Sequence, residues 1–581
     1  MSLPLPSILT GPDFADIDRY FAEFIGSFGE GDLPVLAAAF LSRNIRNGHI
    51  CLNLAADPAP LNAGEFQWPD LRQWDAGLEQ NRAIGGPQDG RPLVVDADHR
   101  CYLRRYWEYE ELLAAGILKR CPLKDQRDPN DENGDMQEAA IQAALTQRFL
   151  VISGGPGTGK TTTVLKILKR LVGAPGGEKL RIALTAPTGK AAARLQETLG
   201  RNDGGPMAGD DSILSSLQPA CTLHRLLGSR RGSIYFQHNA GNPLPFDVVV
   251  VDEASMVPLT MMAKLFDALS KNARVILLGD RDQLSSVEPG SVLGDIAEAS
   301  NQIGSPLQGH VIQLERNYRF GNESGIFALC NAVRNGDSNR ALLILSEAME
   351  GKRSDLAAGP TPAVDELVAR LRAPVLAGFS AYLEAVSSGK SDAPQEALRL
   401  FGGFRVLSAL RVGPYGVENL NRVIESILRS AGRISGASHG PSWTGSSYPG
   451  MPVLITANDY ALRLFNGDIG ILMPDPDTGS LLAWFAGDDG KLRAIAPARL
   501  PTHEPAFAMT VHKSQGSEFG NVLFVLPDKP GAVLTRELVY TGLTRARHRV
   551  ELWFQEPVLR AANANLIQRD SGLRARLSRE L

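Results

Sequence analysis

What this sequence lacks rules out several large protein classes. Its 581 residues hold five cysteines (Cys51, Cys101, Cys121, Cys221 and Cys330), scattered and odd in number, with no C-x-x-C spacing. A disulfide framework and a structural zinc site are therefore not expected. The three cysteines of the first 121 residues read as buried free thiols rather than iron–sulfur ligands. No apolar run reaches the roughly 18 residues of a membrane helix. The N-terminus has no basic-then-apolar signal pattern, so a reduced, cytosolic setting is expected. An excess of positive charge is missing too. Lys+Arg number 60 against 64 Asp+Glu, a net charge of -4, so any nucleic acid must be held by a local groove rather than by a basic coat. The length allows three or four domains at about 150 residues each.

What is present converges on Phe149–Val164, FLVISGGPGTGKTTTV. The apolar run Phe149–Ile152 predicts a buried strand, and a helical pattern follows the glycines. Between them Gly154, Gly155, Pro156, Gly157, Thr158, Gly159, Lys160 and Thr161 match G-x-x-x-x-G-K-[ST]. Glycines let backbone N–H groups curl around phosphate oxygens, Lys160 brings a charge to the β- and γ-phosphates, and the Thr161 hydroxyl can ligand Mg²⁺. The first helical turn, with Thr162, points its positive end at the nucleotide. This loop predicts a nucleoside triphosphate and leaves open what its hydrolysis does.

The rest of the chain is organised around that loop. Residues 1–123 form a first, mainly helical unit with possible short strands at His49–Leu54 and Pro92–Val95. Its aromatic and basic stretch Arg100–Leu118 reads as a packing or partner-docking helix rather than a base-stacking surface. KDQRDPNDENG, residues 124–134, is a linker. Strand candidates Phe149–Ile152, Arg181–Thr185, Val248–Val251 and Arg274–Leu278 then alternate with helical segments, the pattern of a parallel sheet covered on both faces, over residues 135–323. Gln137 can read an adenine edge or be a solvated helix residue. Pro187, Thr188, Gly189 and Lys190 form a turn opening a helix, either a nucleic-acid phosphate site or an ordinary connection. His224 and Arg225 of TLHRLLG are further nucleic-acid candidates, although a lone histidine reads as structural. Residues 229–245 read as a small hairpin insert. Asp252 and Glu253 end a four-valine strand, where one can hold the water shell of Mg²⁺ and the other can activate water. Gln283 can sense a γ-phosphate. Arg319 and Arg545 are arginine-finger candidates, a device worth on the order of 10³–10⁵ in rate. A second αβ unit spans 324–581, with short strands at 445–500 predicting an inserted β-barrel. His512, Lys513, Ser514, Gln515 and Glu518 cluster in a turn facing a groove, and the first four are candidates for contact with DNA.

Taken in order, the loop at Gly154–Thr161, the turn at Thr185–Lys190, Asp252–Glu253, GDRDQ at Gly279–Gln283, NYR at Asn317–Arg319, the Val511–Glu518 turn and Thr544–Arg545 resemble superfamily 1 DNA helicases. TLHRLLG, VDEASMV, TVHKSQGSEF and LVYTGLTRAR are similar to the RecD family, the alpha subunits of exodeoxyribonuclease V. The resemblance implies two RecA-like parallel-sheet P-loop domains with ATP and Mg²⁺ between them, an SH3-like β insert, and 5′→3′ movement on single-stranded DNA at duplex ends. It implies Lys160 and Thr161 on phosphate and metal, and Asp252 and Glu253 on metal and water. Gln283 would sense the γ-phosphate, Arg319 and Arg545 would be fingers from the second domain, Glu518 would approach the ribose and Gln137 the adenine. It implies a bacterial cytoplasmic complex with RecB-like and RecC-like subunits, docked largely by the N-terminal unit. Longer stand-alone relatives carry N-terminal helix-hairpin-helix repeats, whose G-x-G punctuation is not seen in residues 1–120.

Two rival functions use other features. A regulatory ATP switch without motor activity would keep the same loop; the paired arginines and Glu253 favour turnover. A nuclease would need the weak E-x-K of Glu350–Lys352, but no Pro-Asp strand end precedes it and two-metal chemistry needs more carboxylates.

Overall fold

A computed structural model of the chain describes residues 6–56, 67–121, 135–200, 217–230, 232–321, 323–435, 447–459, 461–487 and 491–579. The predicted linker 124–134 lies outside the described residues. Among the described residues no helix is long and apolar enough to cross a membrane.

Four sheets organise the described residues. In the first lobe the strands lie in the order Val311–Leu314, Phe149–Gly154, Arg274–Gly279, Val248–Val251, Ile182–Ala186, Cys221–Thr222, every neighbour parallel. Such a sheet needs apolar residues on both faces, and Val248–Val251 supplies four valines that are all buried. Each is worth roughly 1.5–3 kcal/mol over leaving the side chain in water. The second lobe repeats the plan with Leu356–Pro360, Ala546–Phe554, Phe519–Val525, Phe404–Ser408 and Ala508–Thr510, again all parallel. Within it, a five-stranded antiparallel sheet runs Leu492–Ile495, Leu481–Ala486, Ile469–Pro474, Met451–Ile455, His503–Pro505.

The N-terminal unit combines helices with a four-stranded sheet, Cys51–Asn53, Arg100–Leu103, Leu93–Val95 and Ile84–Gly85, one strand pair more than the two short runs read from sequence. The stretch Arg100–Leu118 splits into a strand and the helix Arg104–Leu118. Tyr106, Leu113 and Ile117 are buried in the same core as Phe149, Met262 and Phe266 of the first lobe, and Gly116 is where the Phe266 ring lies against the helix. Its aromatics therefore serve packing within the chain. In the predicted hairpin stretch the described residues, 229–230 and 232–245, form two isolated antiparallel bridges, Ser229 with Phe236 and Asn239 with Asn242. Glu350 and Lys352 pair with each other on an exposed turn.

Candidate nucleotide site and inter-lobe cleft

The phosphate loop leaves the buried strand Phe149–Gly154 and enters the helix Lys160–Gly173. Gly157 and Gly159 both take φ of 83°, the left-handed region a side chain resists. A Cβ on Gly157 would sit 2.5 Å from the Cβ of Arg319, so the loop passes tight under the segment that follows Val311–Leu314. That segment grips the loop backbone: Asn317 Nδ2 donates to Pro156 O at 2.9 Å, and the Tyr318 amide donates to Gly157 O at 2.8 Å. Lys160 Nζ donates to Gly154 O at 2.5 Å and Gly155 O at 3.1 Å, so its ammonium lies within the loop. Thr158 is buried and its hydroxyl donates to Gly155 O; Thr161 is half-buried and Thr162 exposed. Gln137 lies on the same loop, its Nε2 3.4 Å from Thr158 O, and the ring of Tyr318 lies against Gly159 beside it.

The acidic pair stands at the end of Val248–Val251. The Asp252 amide donates to Thr185 O at 2.8 Å, and Glu253 takes φ of 51°, an unusual backbone for a non-glycine. Burial and the Glu253 charge push the Asp252 carboxyl up to about 6, with Lys160 and Arg194 acting the other way.

A second set of contacts crosses from lobe to lobe. Gln283 Nε2 donates to Asp280 Oδ2 at 3.1 Å, and its Oε1 accepts from Arg545 Nη2 at 2.9 Å. Tyr540 donates its hydroxyl to the same Asp280 oxygen at 3.0 Å, close enough to the loop that a Cβ on Gly155 would meet it at 2.9 Å. The Leu284 amide donates to Thr541 Oγ1 at 2.9 Å, and Gln515 Nε2 donates to Leu284 O at 2.8 Å. Burial pushes the Asp280 carboxyl up to about 6 against the pull of Lys160. Arg545 is fully buried, and burial lowers its guanidinium although Glu253 and Glu518 oppose that.

Glu518 collects three guanidinium groups: Arg194 at 2.7 Å from the first lobe, Arg319 at 2.7 Å from the segment joining the sheets, and Arg547 at 3.1 Å from the second lobe. Burial alone would raise its carboxyl, but Arg194 and Arg319 hold it down at about 2. The resemblance implied Arg319 as a finger from the second domain; in the structure it lies on the connecting segment, after the strand Val311–Leu314 and ahead of the helix Gly325–Arg334 that opens the second lobe. Sequence reasoning also left Arg194, Asp280, Tyr318 and Tyr540 without roles. Arg194 had a signal, since it stands four residues after Lys190 on the helix Gly189–Gly200 and so shares its face.

The residues read as nucleic-acid contacts divide. Pro187, Thr188 and Gly189 lead into that helix, and Thr188 Oγ1 lies near Gly516 of the second lobe, so the two turns come together. Lys190 is half-buried over the Phe519 ring at 5.7 Å, and burial with Arg405 nearby pushes its ammonium down to about 7. His224 and Arg225 are exposed on the short helix Leu223–Leu227, with His224 against Phe236. Burial lowers the His512 imidazole, and Lys513 pairs with Glu504 at 2.6 Å. Ser514 and Gln515 are buried: the Ser514 hydroxyl donates to Val511 O within its own turn, and Gln515 Nε2 donates to Leu284 O of the first lobe, so neither side chain lies on an open surface.

A glycine-lined phosphate loop, an acidic strand end and a cross-lobe glutamine–arginine contact define a two-lobed nucleoside-triphosphate motor of the helicase class. Family models match in three places: "RecBCD enzyme subunit RecD, N-terminal domain" at residues 14–102, "AAA domain" at 137–289 and "UvrD-like helicase C-terminal domain" at 505–552. The chain is 40% identical over 562 residues to the RecBCD enzyme subunit RecD of Mycobacterium tuberculosis, covering 94% of this chain and 92% of that one. The counterpart from Haemophilus influenzae is 36% identical, covering 76% of this chain and 72% of that one. The ATP-dependent RecD2 DNA helicase of Deinococcus radiodurans is 32% identical, but only 48% of its length is covered. The chain belongs to the RecD family of RecBCD enzyme subunits.

Proposed function

We propose that this chain is the ATP-dependent 5′→3′ DNA helicase subunit of a RecBCD-type complex, working with RecB-like and RecC-like subunits on single-stranded DNA at duplex ends in the bacterial cytoplasm. The observation that carries the reading is the chain of contacts from the phosphate loop through Tyr540, Asp280 and Gln283 to Arg545, because it ties the nucleotide's surroundings to the position of the second lobe. Its cleft suits a triphosphate: Arg319 Nη1 is buried without a hydrogen-bond partner, and the Lys160 ammonium, near the Asp252 and Asp280 carboxyls, spends its hydrogen bonds on the backbone carbonyls of Gly154 and Gly155. Thr161 and Asp252 would hold Mg²⁺, which supplies charge neutralisation on the phosphates. Lys160 and the glycine amides bind phosphate oxygens. Glu253 receives the proton of the attacking water, and Gln283 holds that water or the γ-phosphate. Arg319 and Arg545 place positive charge where the phosphoryl group departs. Gln137 and Tyr318 border the base, and Glu518 borders the ribose side. Pro187, Thr188, Gly189, Lys190, His224, Arg225, His512 and Lys513 would line the DNA path. Loss of the γ-phosphate removes the anion that Arg319 and Arg545 face, so the lobes part and the DNA contacts shift.

The subunit form is favoured over the stand-alone form by the higher identity to the M. tuberculosis subunit, 40% over 562 residues against 32% over 418 residues for the RecD2 relative, and by the match of residues 14–102 to the RecD N-terminal domain. Substituting Lys160→Gln in the assembled complex tests the motor. DNA-stimulated ATP hydrolysis by this subunit and unwinding of 5′-tailed duplex should both be lost. Survival of both, unchanged, overturns the reading in favour of another engine. Loss of ATP binding with unwinding intact would instead identify a regulatory switch.

A further inference from the structure

The helix Asp16–Gly26 is apolar on two faces, and only one of them is covered. Its inner face, with Ala22, Ile25 and Gly26, is buried on the helix Asp32–Arg46, and Asp18 is tied there to Arg46 and Ser42. Its outer face carries Ile17, Tyr20 and Phe24, continued past its end by Phe28, and these are 62%, 68%, 58% and 38% exposed. Spacings of three and four residues stack them in a single stripe. The Phe24 and Phe28 rings already meet edge to face at 5.1 Å. Exposed apolar side chains are ordinary singly; a continuous run of four, three of them aromatic, marks a surface meant to be covered.

The charge around the stripe says what kind of surface covers it. Asp16 and Glu23 are exposed on the same helix, and Glu30 is exposed beside Phe28. Arg19 is drawn inward, donating to Leu9 O at 2.7 Å and Gly11 O at 3.0 Å as well as to Asp16, and Arg82 lies at the Phe28 end. An acidic border repels nucleic-acid phosphates and anionic lipid headgroups. Two copies meeting through this face would set acidic border against acidic border. We propose that the stripe is the docking face by which this chain seats on another subunit of the RecBCD-type complex, filling an apolar groove bordered by lysine and arginine. This rests on the assembly reading above and relocates it. The aromatic stretch Arg100–Leu118 is consumed by packing on the first lobe, so the N-terminal unit meets its partner through Tyr20 and Phe24 instead.

The test uses the full chain co-expressed with its RecB-like and RecC-like subunits. The double substitution Tyr20→Glu, Phe24→Glu should weaken assembly by roughly thirtyfold or more, the range of buried aromatic anchors. The isolated chain should keep its thermal midpoint and its ATP hydrolysis. Glu23→Lys should weaken assembly more at low salt than at high salt. A photocrosslinking group placed at Tyr20 in the otherwise native chain should attach to a partner subunit, which decides the matter even if the double variant folds poorly. Assembly of the double variant with native affinity overturns the proposal. So does a crosslink formed only between two copies of this chain, or only to DNA. The Lys160→Gln experiment reads turnover alone, so a failed motor and a failed docking face give different results.

Discussion

At the scale of single residues, the cleft is dominated by carboxylates whose burial works against their charge. Asp280 is the clearest case, because it accepts from both Tyr540 and Gln283 on one oxygen while lying almost out of contact with solvent. Its carboxyl is pushed from an ordinary 3.8 up to about 6, chiefly by burial. A raised carboxyl keeps its proton in the folded chain where the unfolded chain has lost it. Its contribution to stability is therefore greatest below pH 3.8 and declines as pH rises to about 6. The difference is on the order of 2–3 kcal/mol at neutral pH. Asp280→Asn needs no ionisation and still offers an oxygen to Tyr540 and Gln283. It should raise the thermal midpoint at pH 7.5 and leave it unchanged near pH 4. Equal midpoints across the whole range would show that Asp280 ionises in the folded chain without cost. Glu518 is the opposite case, since Arg194 and Arg319 outweigh burial and hold it ionised down to about pH 2.

At the scale of elements, the parts legible in the sequence are those whose cause is local. A four-valine run bounded by polar residues reads as a buried strand, and Gly159, with φ of 83°, fills a glycine position that the motif spacing itself demands; Gly157 takes the same φ at a position the motif leaves open. Gly157→Ala puts a methyl group into left-handed backbone, at a cost of about 1–2 kcal/mol. That methyl would also lie 2.5 Å from the Cβ of Arg319. The loop must then move away from the Asn317–Arg319 segment, and nucleotide affinity should fall at least tenfold by titration with a fluorescent ATP analogue, with little change in the overall fold. Native affinity would mean that the loop and this segment separate freely. Other features were not legible because their partners are remote in the chain. Tyr540 meets Asp280 across 260 residues, and Arg194 meets Glu518 from the other lobe. Neither pairing follows from periodicity or spacing; both depend on how two sheets face each other. The stretch Arg100–Leu118 shows the same limit, since its composition announced an interface without saying that the interface was with the first lobe.

At the scale of the whole molecule, the C-terminal segment closes the structure. After the helix Glu556–Ala564 of the second lobe, the chain returns across the first. Arg569 donates to Ser286 O, Glu288 O and Gly290 O at 2.8, 2.9 and 2.7 Å. The Ile50 amide donates to Asp570 O at 2.8 Å, joining the N-terminal sheet to residues 520 positions later. The short helix Leu573–Leu577 then buries Leu573 and Leu577 in the core that also holds Leu113 of the helix Arg104–Leu118 and Ile296 of the helix Val292–Ser300. Arg576 pairs at 2.8 Å with Glu110, which is wholly buried and also accepts from Ser571 and the Gly572 amide. One segment thus fastens the second lobe, the first lobe and the N-terminal unit together. Arg576→Ala would leave the Glu110 charge buried without its cation, a loss of about 3–5 kcal/mol. The thermal midpoint should drop by several degrees, and the N-terminal sheet should exchange its amide hydrogens faster while the sheet of the second lobe stays protected. Adding Glu110→Gln to Arg576→Ala removes the stranded charge and should recover part of the loss. If Arg576→Ala unfolds at the native midpoint, the segment lies on the surface without holding the units together. If Glu110→Gln brings no recovery, the loss comes from the packing of the arginine stem and not from the buried charge.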